Sequence, residues 1–197
     1  MLGFSAAEVA DTLDTTVPAV NSALQRARRA ADERLPEQSH QATLRALGDE
    51  RLSELVESYM DAMQRGDVDA VVSMLAEDAA WSMPPLASWF GGRDGVTDFL
   101  KRGPLSGEWR WRHVPARANG QAAVAVYSWN EEEQRHLPFA LDVLTLEGTR
   151  IKEVTAFIAR STEGSDRGFY ARWPEQALDP ERVTAIFERF GLPTRLD

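Results

Sequence analysis

Residues 50–84 constrain the fold more than any other stretch of this 197-residue chain. Apolar residues recur there at the spacing of one helix face, namely Leu52, Leu55, Val56, Tyr59 and Met63. Gly66 is expected to end this helix, because glycine accepts the left-handed conformation that a helix end needs. Asp67 is placed to cap a second helix, which is predicted to end at Asp78. A short strand over 80–83 follows, closed by Pro84 and Pro85.

This order of elements resembles the start of the SnoaL-like and ketosteroid-isomerase-like superfamily, in which a curved sheet and helices surround a deep pocket. Residues 59–67, YMDAMQRGD, are similar to the isomerase segment that carries an oxyanion-hole tyrosine, and that position falls on Tyr59. The alternative is that Tyr59 is an ordinary core residue of an amphipathic helix. Both interpretations are open, since a helix tyrosine can pack and also hydrogen-bond.

A second correspondence involves an acid on the long penultimate strand of the isomerase. Residues 141–146, LDVLTL, resemble that strand and put the acid at Asp142. Phe139, Leu141 and Val143 alternate onto one face, so Asp142 belongs to the other. We expect that face to line the pocket, and the alternative is that it is the outer, solvated face.

The general-base position of the isomerase falls on Met83, which cannot accept a proton. The resemblance therefore implies a ligand pocket more than an isomerase of that mechanism, and no catalytic residue is assigned. The predicted pocket residues are Tyr59, Trp81, Met83, Trp89, Trp129 and Asp142. His113 could serve as a base in another enzyme of this fold, but a packed strand histidine is the simpler interpretation.

The N-terminal residues predict two helices joined by a short turn. Ser5 and Glu8 form a capping-box pattern for a helix that ends near Thr12, and Thr16 caps a longer helix. A short helix, a turn and a longer helix rich in amides and arginines are typical of a helix-turn-helix. The residues predicted to contact DNA are Pro18, Asn21, Ser22, Gln25, Arg26, Arg28 and Arg29.

Residues 3–10, GFSAAEVA, and 17–28, VPAVNSALQRAR, resemble the end of region 4 of extracytoplasmic-function sigma factors, in particular the subgroup with a SnoaL-like domain after region 4. That family recognises the −35 promoter element and works with the RNA polymerase core. The first half of region 4 and all of region 2 have no counterpart in this sequence. We therefore expect Met1 to be an internal codon or a truncation point of a longer protein.

Composition limits the classes of partner and site. The chain has no cysteine, so disulfides and thiolate metal sites are excluded. Its three histidines are scattered, and we expect neither a metal nor another cofactor. The formal net charge of −9 disfavours broad binding to nucleic acid, so DNA contact must be local. Neither a signal pattern nor a long apolar run is present, so we expect a cytoplasmic protein without a membrane partner.

The fold class predicted is α+β. A helix-turn-helix remnant over 1–35 is followed by a linker over 36–48 and by a SnoaL-like domain over 49–160, a cone of curved antiparallel sheet with helices. Residues 161–197 are predicted to form a loop and a C-terminal helix. That helix starts near Asp179 and presents Val183, Ile186, Phe187 and Phe190 on one face.

Three functions remain open from the sequence. The leading hypothesis is the C-terminal portion of a sigma factor, whose SnoaL-like domain modulates transcription initiation, with a small hydrophobic ligand as the sensed molecule. Its partners in the full-length protein are the polymerase core and promoter DNA. The alternative is a stand-alone SnoaL-like cyclase, isomerase or hydrolase that acts on a hydrophobic small molecule. The third is a homodimeric structural domain.

Overall fold

A computed structural model describes residues 4–34, 39–84, 86, 88–159 and 180–197. The chain divides into two units, residues 1–39 and 40–197. Within the described ranges, every helix is too short or too polar to cross a bilayer.

The first unit contains a helical hairpin, in which α1 spans Ala6–Thr12 and α2 spans Val17–Arg34. The predicted capping box at α1 is confirmed: the Glu8 backbone N–H donates to the Ser5 hydroxyl, and the Ser5 N–H donates to the Glu8 carboxylate. These two bonds satisfy helix-terminal N–H groups that lack partners within the helix.

Helix α2 has the predicted N-cap and exposes two of its apolar side chains. The cap predicted at Thr16 is confirmed, because its Oγ1 accepts from the Ala19 N–H at 3.3 Å. Further along the helix, Val17 is 41% exposed and Leu24 is 45% exposed. These two apolar side chains of α2 are therefore exposed.

The second unit combines five helices with one sheet over its described residues. The helices are α3 His40–Leu47, α4 Asp49–Arg65, α5 Val68–Met74, α6 Gly92–Arg102 and α7 Pro180–Arg189. The strands are β1 Leu75–Ser82, β2 Trp89–Gly91, β3 Trp111–Ala118, β4 Gln121–Asn130, β5 Arg135–Glu147 and β6 Arg150–Ile158. Their order in the sheet is β2-β1-β6-β5-β4-β3.

The sheet is mixed, whereas the sequence predicted an antiparallel one. Strand β1 runs parallel to β6, and the other neighbouring pairs are antiparallel. Tight turns fix only the direction of consecutive strands, and β1 is separated from β6 by most of the domain. The direction of their pairing could therefore not be inferred from local turns.

The second predicted helix ends earlier than expected. Leu75 belongs to β1 and pairs with Ile151, although it continues the helical spacing of α5. Its carbonyl oxygen accepts hydrogen bonds from the guanidinium groups of Arg93 and Arg150. Sheet pairing and these long-range bonds override the local helical pattern, so residues 75–78 are strand.

Helix α3 occupies most of the predicted linker. Its first residue, His40, accepts a hydrogen bond from the Leu146 backbone N–H on β5 at Nε2 (3.1 Å). The pairing of β5 with β6 is irregular between Thr145 and Leu146, and the imidazole accepts the hydrogen bond of a strand N–H at that point. Residues 40–47 are thus attached to the sheet by a bond that local sequence patterns do not reveal.

Helix α4 covers the inner face of the sheet. Gly66 ends α4 in the left-handed conformation, as predicted. The buried side chains of α4 belong to the same core as the inner-face residues Val124, Leu144 and Val154. This packing presents Tyr59 to the middle of the sheet.

Helix α7 covers part of the outer face. Val183 and Phe187 of α7 share a core with Leu141 and Val143 of β5. The segment after α7 adds two backbone hydrogen bonds between His136 and Leu196, at 2.8 and 3.0 Å. The predicted loop over 161–173 lies outside the described residues.

Candidate ligand-binding site

Tyr59 and Asp142 meet in the interior of the second unit. The Tyr59 hydroxyl donates a hydrogen bond to Oδ2 of Asp142 at 2.9 Å. Tyr59 has no exposed surface, and Asp142 is 3% exposed. The pair joins α4 to β5 across 83 residues of sequence.

Strand alternation turns Asp142 inward. Leu141 and Val143 pack on the outer face beneath α7, whereas Leu144 belongs to the inner core. Asp142 pairs with Val124 on β4 and with Ala156 on β6. The carboxyl group is therefore flanked by an apolar residue on each neighbouring strand, and its hydrogen-bond donor, Tyr59, comes from α4.

A cavity of about 240 Å³ lies against this carboxyl group. Its described lining residues are Met63, Trp81, Met83, Ser88, Phe90, Phe99, Gly103, Pro104, Trp109, Trp111, Val126, Phe139, Ala140, Asp142, Ala156 and Ile158. The rings of Trp109 and Trp111 stack at 5.2 Å, and Phe139 meets Trp111 edge-on at 5.0 Å. The wall is thus predominantly apolar and aromatic around one acid.

A bulge in β5 places an extra ring in this wall. The β4–β5 register shifts between Val126, which pairs with Ala140, and Tyr127, which pairs with Pro138. Phe139 is the additional residue, so Phe139 and Ala140 both line the cavity although they are adjacent in sequence.

Burial controls the protonation of the pair. It raises the pKa of Asp142 to about 7, while the hydrogen bond from Tyr59 acts in the opposite direction. Burial, and then the charge of Asp142, raise the pKa of Tyr59 well above its usual range. Tyr59 is therefore a hydrogen-bond donor at neutral pH, and Asp142 exchanges a proton within the physiological range.

Comparison with known families identifies this unit. Residues 56–154, half of the chain, match the sequence model of the SnoaL-like domain. The chain belongs to the SnoaL-like domain family. A solved structure from Methylobium petroleophilum PM1, described as a protein of unknown function with a cystatin-like fold, is 12% identical and covers 61% of this chain and 83% of its own, with a TM-score of 0.50. At that identity the likeness shows the fold alone.

The chain is also similar over its whole length to a transcription protein. The ECF RNA polymerase sigma factor SigG of Mycobacterium tuberculosis, in strains CDC 1551 / Oshkosh and ATCC 25618 / H37Rv, is 31% identical over 205 residues. The match covers 100% of this chain and 46% of SigG, so the chain spans about half the length of these curated relatives. The chain therefore carries a SnoaL-like domain and is similar in sequence to about half of a sigma factor.

Within the SnoaL-like domain, three of the six predicted pocket residues line the cavity. These are Trp81, Met83 and Asp142. Tyr59 lies behind Asp142 and is absent from the described wall. Their role in binding a ligand stays a prediction.

The other two predicted pocket residues lie elsewhere. Trp89 is 65% exposed on β2, which is an edge strand. Trp129 packs edge-on against His136 at 5.1 Å, with the Arg110 guanidinium 4.7 Å from its ring centroid. A position at the end of a strand does not specify which side of the sheet a ring occupies, so sequence reasoning misplaced both tryptophans.

His113 is packed rather than placed in the cavity wall. Both ring nitrogens are buried and have no hydrogen-bond partner within the described ranges. Burial lowers the pKa of His113 to about 4, so the ring is neutral near pH 7. Its backbone N–H donates to the Gln64 side chain on α4 at 3.0 Å, which anchors β3 to that helix.

The predicted DNA-contacting residues share the exposed surface of α2. Pro18, Asn21, Ser22, Gln25, Arg26, Arg28 and Arg29 are all exposed. The amides and the hydroxyl lie closer to the helix N-terminus than the arginines do. Their role in binding DNA stays a prediction.

Proposed function

We propose that this chain is the portion of a sigma factor in which the helical hairpin contacts the −35 promoter element and the SnoaL-like domain modulates transcription initiation by binding a small hydrophobic ligand. The observation that carries the proposal is the 31% identity to SigG over the whole chain, because it includes the hairpin as well as the SnoaL-like domain. The polymerase core and promoter DNA are the partners proposed for the full-length protein.

The exposed residues of α2 support DNA contact. Asn21, Ser22 and Gln25 carry side chains that hydrogen-bond to base edges, and Arg26, Arg28 and Arg29 carry charges suited to phosphates. The formal net charge of −9 opposes a broad electrostatic contribution to binding. We therefore expect this chain alone to bind DNA with a Kd weaker than about 1 µM at physiological salt.

Fluorescence anisotropy with a labelled random-sequence duplex pool, before and after selection on the chain, tests this expectation. Replacing Arg26, Arg28 and Arg29 with alanine should weaken binding to all sequences and reduce the salt slope by up to about 0.9 for each lost phosphate contact. Gln25→Ala should change the selected sequence instead. Arg102→Ala, an exposed change in the SnoaL-like domain, is the matched control. Binding that is unaffected by the α2 changes would contradict the assignment, and sub-micromolar, sequence-selective binding by this chain alone would contradict the expected weak affinity.

The cavity supports the ligand-binding part of the proposal. Ligand sites are concave and mostly apolar, with a few polar groups that fix orientation. The described wall has this composition, and Asp142 is its single ionisable side chain. A ligand that contacts Asp142 would directly affect the hydrogen bond between Tyr59 and Asp142, which joins α4 to β5.

The enzyme alternative is favoured by the burial of Asp142 in the cavity wall, which raises the pKa of this acid to about 7 and suits proton transfer at neutral pH. Met83 lies in the same wall and has no titratable group to serve as a second proton carrier. We expect no isomerisation of a β,γ-unsaturated ketone above the uncatalysed rate, measured by absorbance of the conjugated product. Isomerisation that is lost in Asp142→Asn and retained in Asp61→Asn would favour the enzyme instead.

The homodimer stays a prediction. Helix α7 covers outer-face residues of β4 and β5, whereas Phe157 on β6 is 49% exposed. A dimer formed through this sheet would therefore be centred on β6.

A further inference from the structure

We propose that the cavity of the SnoaL-like domain binds a small hydrophobic amine as its ammonium ion, with the cationic nitrogen at Asp142 and the apolar part among the aromatic rings. This inference rests on the proposed ligand-binding function and names the chemical class of the ligand.

The charge pattern of the wall selects a cation. Asp142 is the one ionisable side chain among the described lining residues, which include no lysine, arginine or histidine. A buried carboxylate is costly unless an opposite charge or hydrogen bonds compensate it. An ammonium group would provide both a positive charge and N–H donors, whereas a carboxylate ligand would be repelled.

The orientation of Tyr59 makes Asp142 an acceptor. The Tyr59 hydroxyl already donates to Oδ2, and its ring has no exposed surface. The Trp81 indole nitrogen is buried and has no hydrogen-bond partner among the described residues, and that of Trp111 donates to the Pro104 carbonyl oxygen. The Tyr59 and Trp111 donors are therefore already engaged, whereas a ligand N–H would find a carboxylate oriented by Tyr59.

The aromatic wall favours the same class of ligand. Cations are attracted to the faces of aromatic rings, most strongly to tryptophan, and the attraction increases when water is excluded. Six of the described residues that line the cavity are aromatic, including the stacked pair Trp109 and Trp111. The volume of about 240 Å³ exceeds the roughly 150 Å³ of a cavity known to take up benzene. One ring with a short amine-bearing arm therefore fits.

The pH dependence of binding separates this ligand from a neutral one. Among the residues that the structure describes, Tyr59 on α4 is the titratable group that faces Asp142, and the adjacent strand positions are Val124 and Ala156. Because burial raises the pKa of Asp142 to about 7, the carboxyl group must lose a proton to pair with an ammonium ion below that pH. Amine affinity should fall by up to about tenfold for each pH unit below 7. A carbonyl ligand held by the protonated acid would show the opposite dependence.

Tryptophan fluorescence titrations of the full chain with benzylamine, benzyl alcohol and acetophenone, at pH 6.0 and 8.0, test the proposal. Benzylamine should bind most tightly, and more tightly at pH 8.0 than at pH 6.0 by about fivefold or more. Asp142→Asn should weaken benzylamine binding by at least about tenfold while it changes benzyl alcohol binding by less than about threefold. Asp61→Asn, an exposed change on α4, should alter neither.

Two results would overturn the proposal, and they differ in whether the proposed ligand-binding function is retained. Tighter binding of acetophenone than of benzylamine, strengthening as the pH falls, would exclude the amine but retain a ligand-binding domain. Failure of all three compounds to bind a protein whose circular dichroism shows it to be folded would exclude the amine and also remove the support that the cavity gives to ligand sensing.

Discussion

Replacing Asp142 with asparagine is expected to raise the free energy of unfolding at pH 8 by about 3–4 kcal/mol. Burial raises the pKa of this acid from 3.8 to about 7 in the folded protein. The unfolded chain therefore releases the proton at a lower pH than the folded protein does. The contribution of Asp142 to wild-type stability therefore falls as the pH rises from about 4 to about 7 and then levels off. Asparagine cannot ionise, and its side-chain oxygen can still accept the bond from Tyr59.

Urea unfolding of the two proteins at pH 5 and pH 8 measures this effect. The advantage of Asp142→Asn should be smaller at pH 5 by about 2–3 kcal/mol. At pH 5 the solution is only about one pH unit above the pKa of the carboxyl group in the unfolded chain, so ionisation stabilises the unfolded chain less than it does at pH 8. His113 also titrates in the acidic range, but it is common to both proteins and cancels in the comparison. Asp61→Asn removes an exposed carboxylate paired with Arg65 and should change stability by less than about 1 kcal/mol. An advantage of equal size at both pH values would contradict a raised pKa at Asp142.

Replacing Phe187 with alanine is expected to destabilise the SnoaL-like domain by about 3–5 kcal/mol, the usual cost of removing a buried aromatic ring. Phe187 lies on α7, is 1% exposed and meets the Tyr127 ring edge-on at 5.2 Å. Its loss would leave a cavity between α7 and the outer face of the sheet. The Tyr127 hydroxyl would keep its bond to the Pro193 carbonyl oxygen, so the C-terminal segment retains some attachment.

Phe190→Ala is the matched control for this change. Phe190 follows α7 directly and is 43% exposed, so its removal should cost less than about 1 kcal/mol. Thermal unfolding by circular dichroism should show a large loss for Phe187→Ala and a small one for Phe190→Ala. Similar losses for the two variants would show that α7 does not pack on the sheet through Phe187.

The two members of the Tyr59–Asp142 pair could be predicted from the sequence, because each lies in a short segment that resembles a segment of the isomerase. One placed Tyr59 at the oxyanion-hole position of a helix, and the other placed Asp142 at the acid position of a strand. Alternation along β5 then indicated that Asp142 and Leu141 face opposite sides of the sheet. The helix caps at Ser5 and Thr16 were equally predictable, because each depends on residues at most three positions apart.

The features that sequence patterns missed depend on partners distant in the chain. Leu75 continues a helical spacing, yet pairing with Ile151 makes it part of β1. Phe139 lines the cavity because a bulge interrupts the alternation of β5. The packing of Trp129 on His136 depends on a cross-strand neighbour that only the register reveals. The periodicity of apolar residues describes one helix or strand at a time, so it does not reveal which strands pair or where a bulge interrupts them.

A ¹³C NMR titration of the Asp142 side-chain carboxyl, assigned by comparison with Asp142→Asn, tests the central claim most directly. In the free protein the resonance should titrate with a midpoint of about 7, as burial in the cavity wall requires. Saturating benzylamine should move that midpoint down by at least about one unit, because the ammonium ion stabilises the ionised carboxylate. A midpoint near the ordinary aspartate value of about 4 in the free protein would contradict the buried acid on which the proposed ligand site depends.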